Sequence, residues 1–128
     1  MTHLIALGAF VVVLGTLAVL DAAQADAGAG QTVFAQKCAS CHTVTPDMNH
    51  GLLGPNLVGV AGRAAAAAPG WDFSVALKDS KITWTDENLH KWLTDSTAFV
   101  PKAQMDLKVP NRIEREDLIA YLKTLKEK

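Results

Sequence analysis

The sequence predicts an all-α fold in which helices are joined by long loops. Three observations lead there. Apolar residues recur at helical spacing in Leu89, Trp92 and Leu93, and again in Leu118, Tyr121, Leu122 and Leu125. No run alternates apolar and polar residues as a half-buried strand does. Thr43 to Gly70 carries Pro46, Gly51, Gly54, Pro55, Gly59, Gly62, Pro69 and Gly70, a density of breakers that excludes a long helix or strand. With 128 residues, 49% hydrophobic and 20% charged, the chain suits one small domain plus a targeting segment.

At the N-terminus, Leu4 to Leu20 is apolar apart from Gly8, Gly15 and Thr16, and is followed by Asp21 and the A-x-A signature Ala23-Gln24-Ala25. Residues 1–25 therefore read as a secretory signal peptide cut before Asp26, leaving a single domain over 26–128. The segment before the apolar run holds His3 but no Lys or Arg, and the run is just long enough to span a bilayer, so an uncleaved anchor is the alternative. Either way the folded part faces the outside of the membrane, which implies a periplasmic protein. The formal charge is -1, from 12 basic and 13 acidic residues, and loss of Asp21 with the leader brings it to zero. Nothing in that balance points to nucleic acid.

From Gly30 a helix is expected to lead through Thr32, Val33, Phe34 and Lys37 into Cys38, with Phe34 on the same face as Cys38. It ends in Cys38-Ala39-Ser40-Cys41-His42, the C-x-x-C-H pattern that reads as c-type haem attachment. Two thiols so spaced fit addition to the vinyl groups of one porphyrin, while the adjacent imidazole can reach the iron from the same side. A redox C-x-x-C or half of a zinc site are the competing readings. The chain has no second Cys pair to complete a zinc site, and no βαβ pattern surrounds the motif. A domain this small buries a modest share of its surface, so a flat apolar cofactor at its centre supplies core that the side chains lack. The breaker-rich stretch Thr43 to Gly70 is then loop packed on a porphyrin face. Within it the alanine run Ala64 to Ala68 reads as filler on a surface loop.

Beyond the loop, Asp72 or Ser74 is expected to cap a short helix reaching Ser80, and Thr85 a second one carrying Leu89, Trp92 and Leu93. Asn111 with Glu114 resembles a capping box opening the last helix, and Lys123, Lys126 and Lys128 near its end suit the helix dipole.

Several motifs together carry a resemblance: Gly54-Pro55-Asn56-Leu57 with Gly59 and Gly62-Arg63, then Ile82-Thr83-Trp84, Val100-Pro101 ahead of Met105, and Arg115-Glu116-Asp117-Leu118-Ile119-Ala120-Tyr121-Leu122. From Gly30 to the C-terminus the chain resembles class I c-type cytochromes, in the branch of mitochondrial-type cytochrome c and bacterial cytochrome c2. The resemblance implies about four to five helices and loops wrapped around one covalently bound haem c, held through Cys38 and Cys41. It implies His42 as one iron ligand. Among Met48, His50, His90 and Met105, it points to Met105 as the other, in a non-helical segment after Pro101. Met48 and His50 lie too close to His42, and His90 falls on the outward side of its helix.

The same resemblance implies that the Pro55 carbonyl accepts a hydrogen bond from the ligand imidazole, and that Arg63 and the Trp84 indole bind a buried haem propionate. Phe34 and Leu118 match the crossing of the first and last helices. The sequence also departs from the family: Phe73 and Trp92 stand where tyrosines are usual, Leu77 replaces a polar residue, and Gln104, Asp106 and Leu107 alter the surroundings of Met105. A more apolar site and a less basic haem edge are expected, with Lys37, Lys102, Lys108 and Arg112 left as a modest positive rim.

Function follows in kind. The expectation is a monomeric electron carrier rather than an enzyme, docking transiently on redox partners at the exposed haem edge and shuttling between a quinol-oxidising complex or dehydrogenase and a terminal oxidase or photosynthetic centre. The alternatives are an electron-accepting subunit dedicated to one periplasmic dehydrogenase, and a haem enzyme or gas sensor with a labile distal ligand.

Overall fold

Asp26 opens the first helix, its carboxylate accepting from the backbone N–H groups of Gly28 at 2.7 Å and Ala29 at 3.2 Å. The computed structural model describes residues 24–127, and the signal-peptide reading rests mainly on residues outside that range. Helix α1 (Ala27–Lys37) is followed by a long loop, then α2 (Val75–Ser80), α3 (Asp86–Thr94), α4 (Ser96–Phe99) and α5 (Arg112–Thr124). Among the described residues there is no strand, only an isolated antiparallel bridge between Ala64 and Thr83. None of the described helices is long and apolar enough to cross a membrane.

Helices α1 and α5 cross in direct contact. Gly30 makes this possible, because a Cβ there would overlap the Asp117 carbonyl oxygen. Phe34 packs its ring 5.5 Å from that of Tyr121, and Leu118 is fully buried beside them. Two polar ties hold the ends of the crossing: the Asp26 N–H donates to the Asp117 carboxylate at 2.7 Å, and Lys37 lies 3.7 Å from Glu114. Glu114 is thereby turned toward α1, while Asn111 alone caps α5 through the N–H groups of Ile113 and Glu114. Half of the expected capping box is thus given over to a tertiary contact.

The middle helices sit where their caps place them. Ser74 caps α2 by accepting from Leu77 N–H, which decides between the two expected caps, and Asp72 pairs instead with Lys78 at 3.0 Å. Lys81 then takes a left-handed conformation that stops the helix. Thr85 caps α3, and Leu89, Trp92 and Leu93 are buried as the periodicity requires. Helix α4 is a single turn capped by Asp95, too short for any hydrophobic period to announce it.

One expectation is corrected. The alanine run forms a wall of the interior: Ala65 N–H donates to the Ile82 carbonyl at 2.7 Å, Trp84 N–H to that of Arg63 at 2.8 Å, and Ala68 is buried. Small side chains let this backbone lie flat against the central cavity, which a filler loop has no reason to do.

Candidate functional site

The core is not closed. Between the motif, the alanine wall, α2, α3 and the Met105 segment lies a cavity of about 340 Å³. Cys38, Cys41, His42, Pro55, Arg63, Trp84 and Met105 all line it. Of the four residues weighed as a second ligand, Met105 alone does so. Met48 sits in a left-handed turn, the His50 ring packs 5.3 Å from Trp71, and His90 faces a groove on the outside between α3 and α5.

The motif is presented by the end of α1, whose helical bonding runs on as Cys41 N–H and His42 N–H both donate to the Cys38 carbonyl, at 3.0 and 2.9 Å. Cys38 and Cys41 form no disulfide, and burial pushes the Cys38 thiol up to about 11, with Cys41 adding and Lys37 opposing.

His42 is fixed more tightly. Its Nδ1 lies 2.8 Å from the Pro55 carbonyl oxygen, and since a carbonyl can only accept, Nδ1 carries the hydrogen. Burial lowers the basicity of the ring despite that bond, which favours neutral imidazole. Neutral imidazole with its proton on Nδ1 leaves the Nε2 lone pair free for a metal. Gly54 closes on the ring face, where an added Cβ would fall 2.5 Å from Cε1.

Two contributors had no assigned role from the sequence. Gly54 is one, visible only as part of a motif. The other is Asn56, which is buried and fully bonded: its amide donates to the Thr45 and Asn49 carbonyls at 2.9 and 3.1 Å, and its oxygen accepts from Val58 N–H. It binds the loop that carries Pro55 into one piece.

At another side of the cavity Arg63 donates to the Val58 carbonyl at 2.9 Å and lies 3.9 Å from Glu127. Partial burial weakens its hold on the proton, and the Glu127 carboxylate acts in the opposite sense. Trp84 is buried, its ring 5.2 Å from that of Trp92. The remaining walls are largely apolar, Phe73, Leu77 and Trp92 among them, with Lys37, Ser74, Gln104 and Asp106 as the polar exceptions. A flat apolar ring with carboxylates at one edge and a metal at its centre fits this donor set: apolar walls for the ring, Arg63 and Trp84 for charge, and imidazole and thioether for the metal. Among the described residues no group of three or more His, Cys, Asp or Glu side chains could hold a bare ion.

Fold and site together define a small all-α protein built to enclose a covalently tethered haem. The chain belongs to the cytochrome c family, whose model, described as cytochrome c, matches residues 27–126. It is 39% identical over 112 residues to cytochrome c2 iso-1 of Rhodospirillum centenum, spanning 74% of this chain and 92% of that one. Identity is also 39%, over 106 residues, to cytochrome c of Guizotia abyssinica, spanning 80% and 93% of the two chains. Among solved structures, cytochrome cH from Methylobacterium extorquens is similar with a TM-score of 0.70 and 40% identity, covering 77% of this chain and 98% of that one. The family consists of electron carriers with covalent haem c, and both cysteines needed for attachment are present.

Proposed function

We propose that the protein is a periplasmic single-electron carrier, processed to residues 26–128, whose haem iron is held between His42 and Met105. The observation that carries this reading is that His42 and Met105 line the same cavity, while the other three potential ligands lie outside it. When bound, the haem supplies one reversible electron. The chain's part would be to offer His42 and Met105 together as iron ligands, so that neither oxygen nor peroxide would find an open site.

Each residue has a distinct task. Cys38 and Cys41 tether, Pro55 orients the imidazole through Nδ1–H, and Arg63 and Trp84 offer donors to a propionate. Phe73, Leu77 and Trp92 keep water from the ring. With His42 and Met105 as ligands, the thioether would favour the reduced iron relative to a second imidazole.

Docking uses the open side of the cavity. Leu53, which lines the cavity, is 69% exposed, and its chain neighbour Leu52 is 83% exposed. The expected basic rim is largely neutralised: Lys37 faces Glu114, Lys108 pairs with Asp95 at 3.1 Å, and Arg112 with Glu116 at 2.8 Å. Lys102 is the member of that rim in no ion pair among the described residues. A monomer with such a surface meets its partners through small, transient, mainly apolar contacts, taking electrons from a quinol-oxidising complex or dehydrogenase and passing them to a terminal oxidase or photosynthetic centre. Visible spectra of both redox states, intact mass and carbon monoxide exposure test the reading. One haem on a chain starting at Asp26, with no carbon monoxide bound at neutral pH, is expected. Ready binding by the reduced protein refutes the six-coordinate carrier.

A further inference from the structure

The segment from Val100 to Pro110 carries Met105 yet contains no regular secondary structure, so its backbone groups need partners elsewhere. Ser96 supplies them. This residue, the first of α4, is fully buried, and its Oγ lies 2.7 Å from the Met105 carbonyl oxygen, to which it donates. The same Oγ accepts from Leu107 N–H at 2.9 Å, and the Ser96 N–H donates to the Leu107 carbonyl at 3.2 Å. The second contact of Oγ, 3.3 Å to the Leu107 carbonyl, competes for the one hydroxyl hydrogen, and the shorter bond to Met105 takes it.

The clip stands on a firm base. Asp95 caps α4 through Ala98 N–H at 3.0 Å and reaches Lys108, on the far side of Met105, at 3.1 Å. Val109 N–H donates to the Leu93 carbonyl at 2.8 Å, so the segment is tied to the end of α3 as well. Of these ties, the Ser96 hydroxyl alone bonds Met105 itself.

We propose that Ser96 is the positioning residue that governs how readily Met105 leaves the metal: its hydroxyl locks the backbone at Met105 and Leu107, and without it the segment opens. The proposal rests on Met105 as a ligand, as proposed above. Removing the hydroxyl leaves one carbonyl and one N–H unpartnered in the closed arrangement, whereas in the open one both meet water. Closed and open populations therefore shift, and with them the apparent affinity of any outside ligand that must wait for Met105 to depart.

The experiment uses the full, haem-loaded protein in the ferric state with imidazole as the probe. Ser96→Ala is expected to tighten apparent imidazole binding on the order of 10- to 100-fold, and Ser96→Thr to restore the wild-type value. Val33→Ala, at a buried position outside the cavity, is the control for general destabilisation and is expected to leave imidazole affinity unchanged. An affinity for Ser96→Ala within twofold of wild type, or a Val33→Ala variant that tightens binding equally, overturns the proposal. If the alanine variant does not accumulate loaded, Ser96→Cys, a weaker donor and acceptor, is read on the same scale, with wild-type affinity again the overturning result. Met105→Ala separates the two claims. A ferric methionine charge-transfer band that survives in it removes the ligand assignment, whereas its loss there, with Ser96→Ala unchanged, removes only the clip.

Discussion

The two sides of the cavity are built by different means. On the His42 side nearly everything is local: the tether and the imidazole share one turn, and the carbonyl that orients the ring belongs to Pro55, a short loop away at 2.8 Å. On the Met105 side the segment that carries Met105 is held by residues from α3, α4 and α5, through Leu93, Ser96 and Arg115. Covalent and short-loop constraints lose little when the fold loosens, whereas contacts between distant segments are lost together. The methionine side is therefore the side at which this protein can be tuned or can fail first.

The sharpest way to break that contrast is at Gly54. Gly54→Ala drives a methyl into the imidazole and is expected to destabilise the loaded protein by about 3 kcal/mol in denaturant titrations, with a disturbed ferric spectrum. Wild-type stability would mean that the ring is free to move. On the opposite side, Arg115 is buried and donates to the Val109 and Pro110 carbonyls at 2.6 and 2.8 Å. Arg115→Ala is expected to cost about 2 kcal/mol and to weaken the methionine charge-transfer band, while haem attachment measured by mass is retained. Loss of attachment would show that the two sides are not separable.

Smaller effects sharpen the picture. Lys102 follows Pro101 with φ of 68°, a left-handed conformation that glycine adopts freely. Lys102→Gly is expected to stabilise the loaded protein by about 1 kcal/mol, raising the temperature at which the charge-transfer band disappears. An unchanged or lower temperature would place no strain at this turn. The smallest effect concerns acid. The Ala98 N–H and Lys108 hold the Asp95 carboxyl below its ordinary 3.8, so its contribution is complete above that value and fades as pH falls through the lower folded value. Asp95→Asn keeps an acceptor for the cap but not the charge, and is expected to flatten the acid loss of the band. Parallel acid titrations of variant and wild type would remove Asp95 from the support of α4.

Much of the haem side was legible because its signals are contiguous. Cys38 to His42 form one motif, Gly54-Pro55 another, and Leu89, Trp92 and Leu93 declare a helix by spacing alone. Ser74 and Thr85 were readable as caps for the same reason. Met105 was singled out only through resemblance, since a lone methionine in a loop carries no pattern. Helix α4 and Ser96 gave no signal at all: a serine between Asp95 and Thr97 looks like surface until another segment folds over it. The alanine run misled because helix propensity and small size say nothing of what lies alongside.

The sequence by itself determined every helix but α4, the tether and the imidazole, because periodicity, capping and covalent spacing act over a few residues. Which methionine lines the same cavity as that imidazole, and what pins it there, was decided by tertiary structure. Those contacts join residues far apart in the chain, and the burial that makes a hydroxyl or an arginine count exists only once the segments have met.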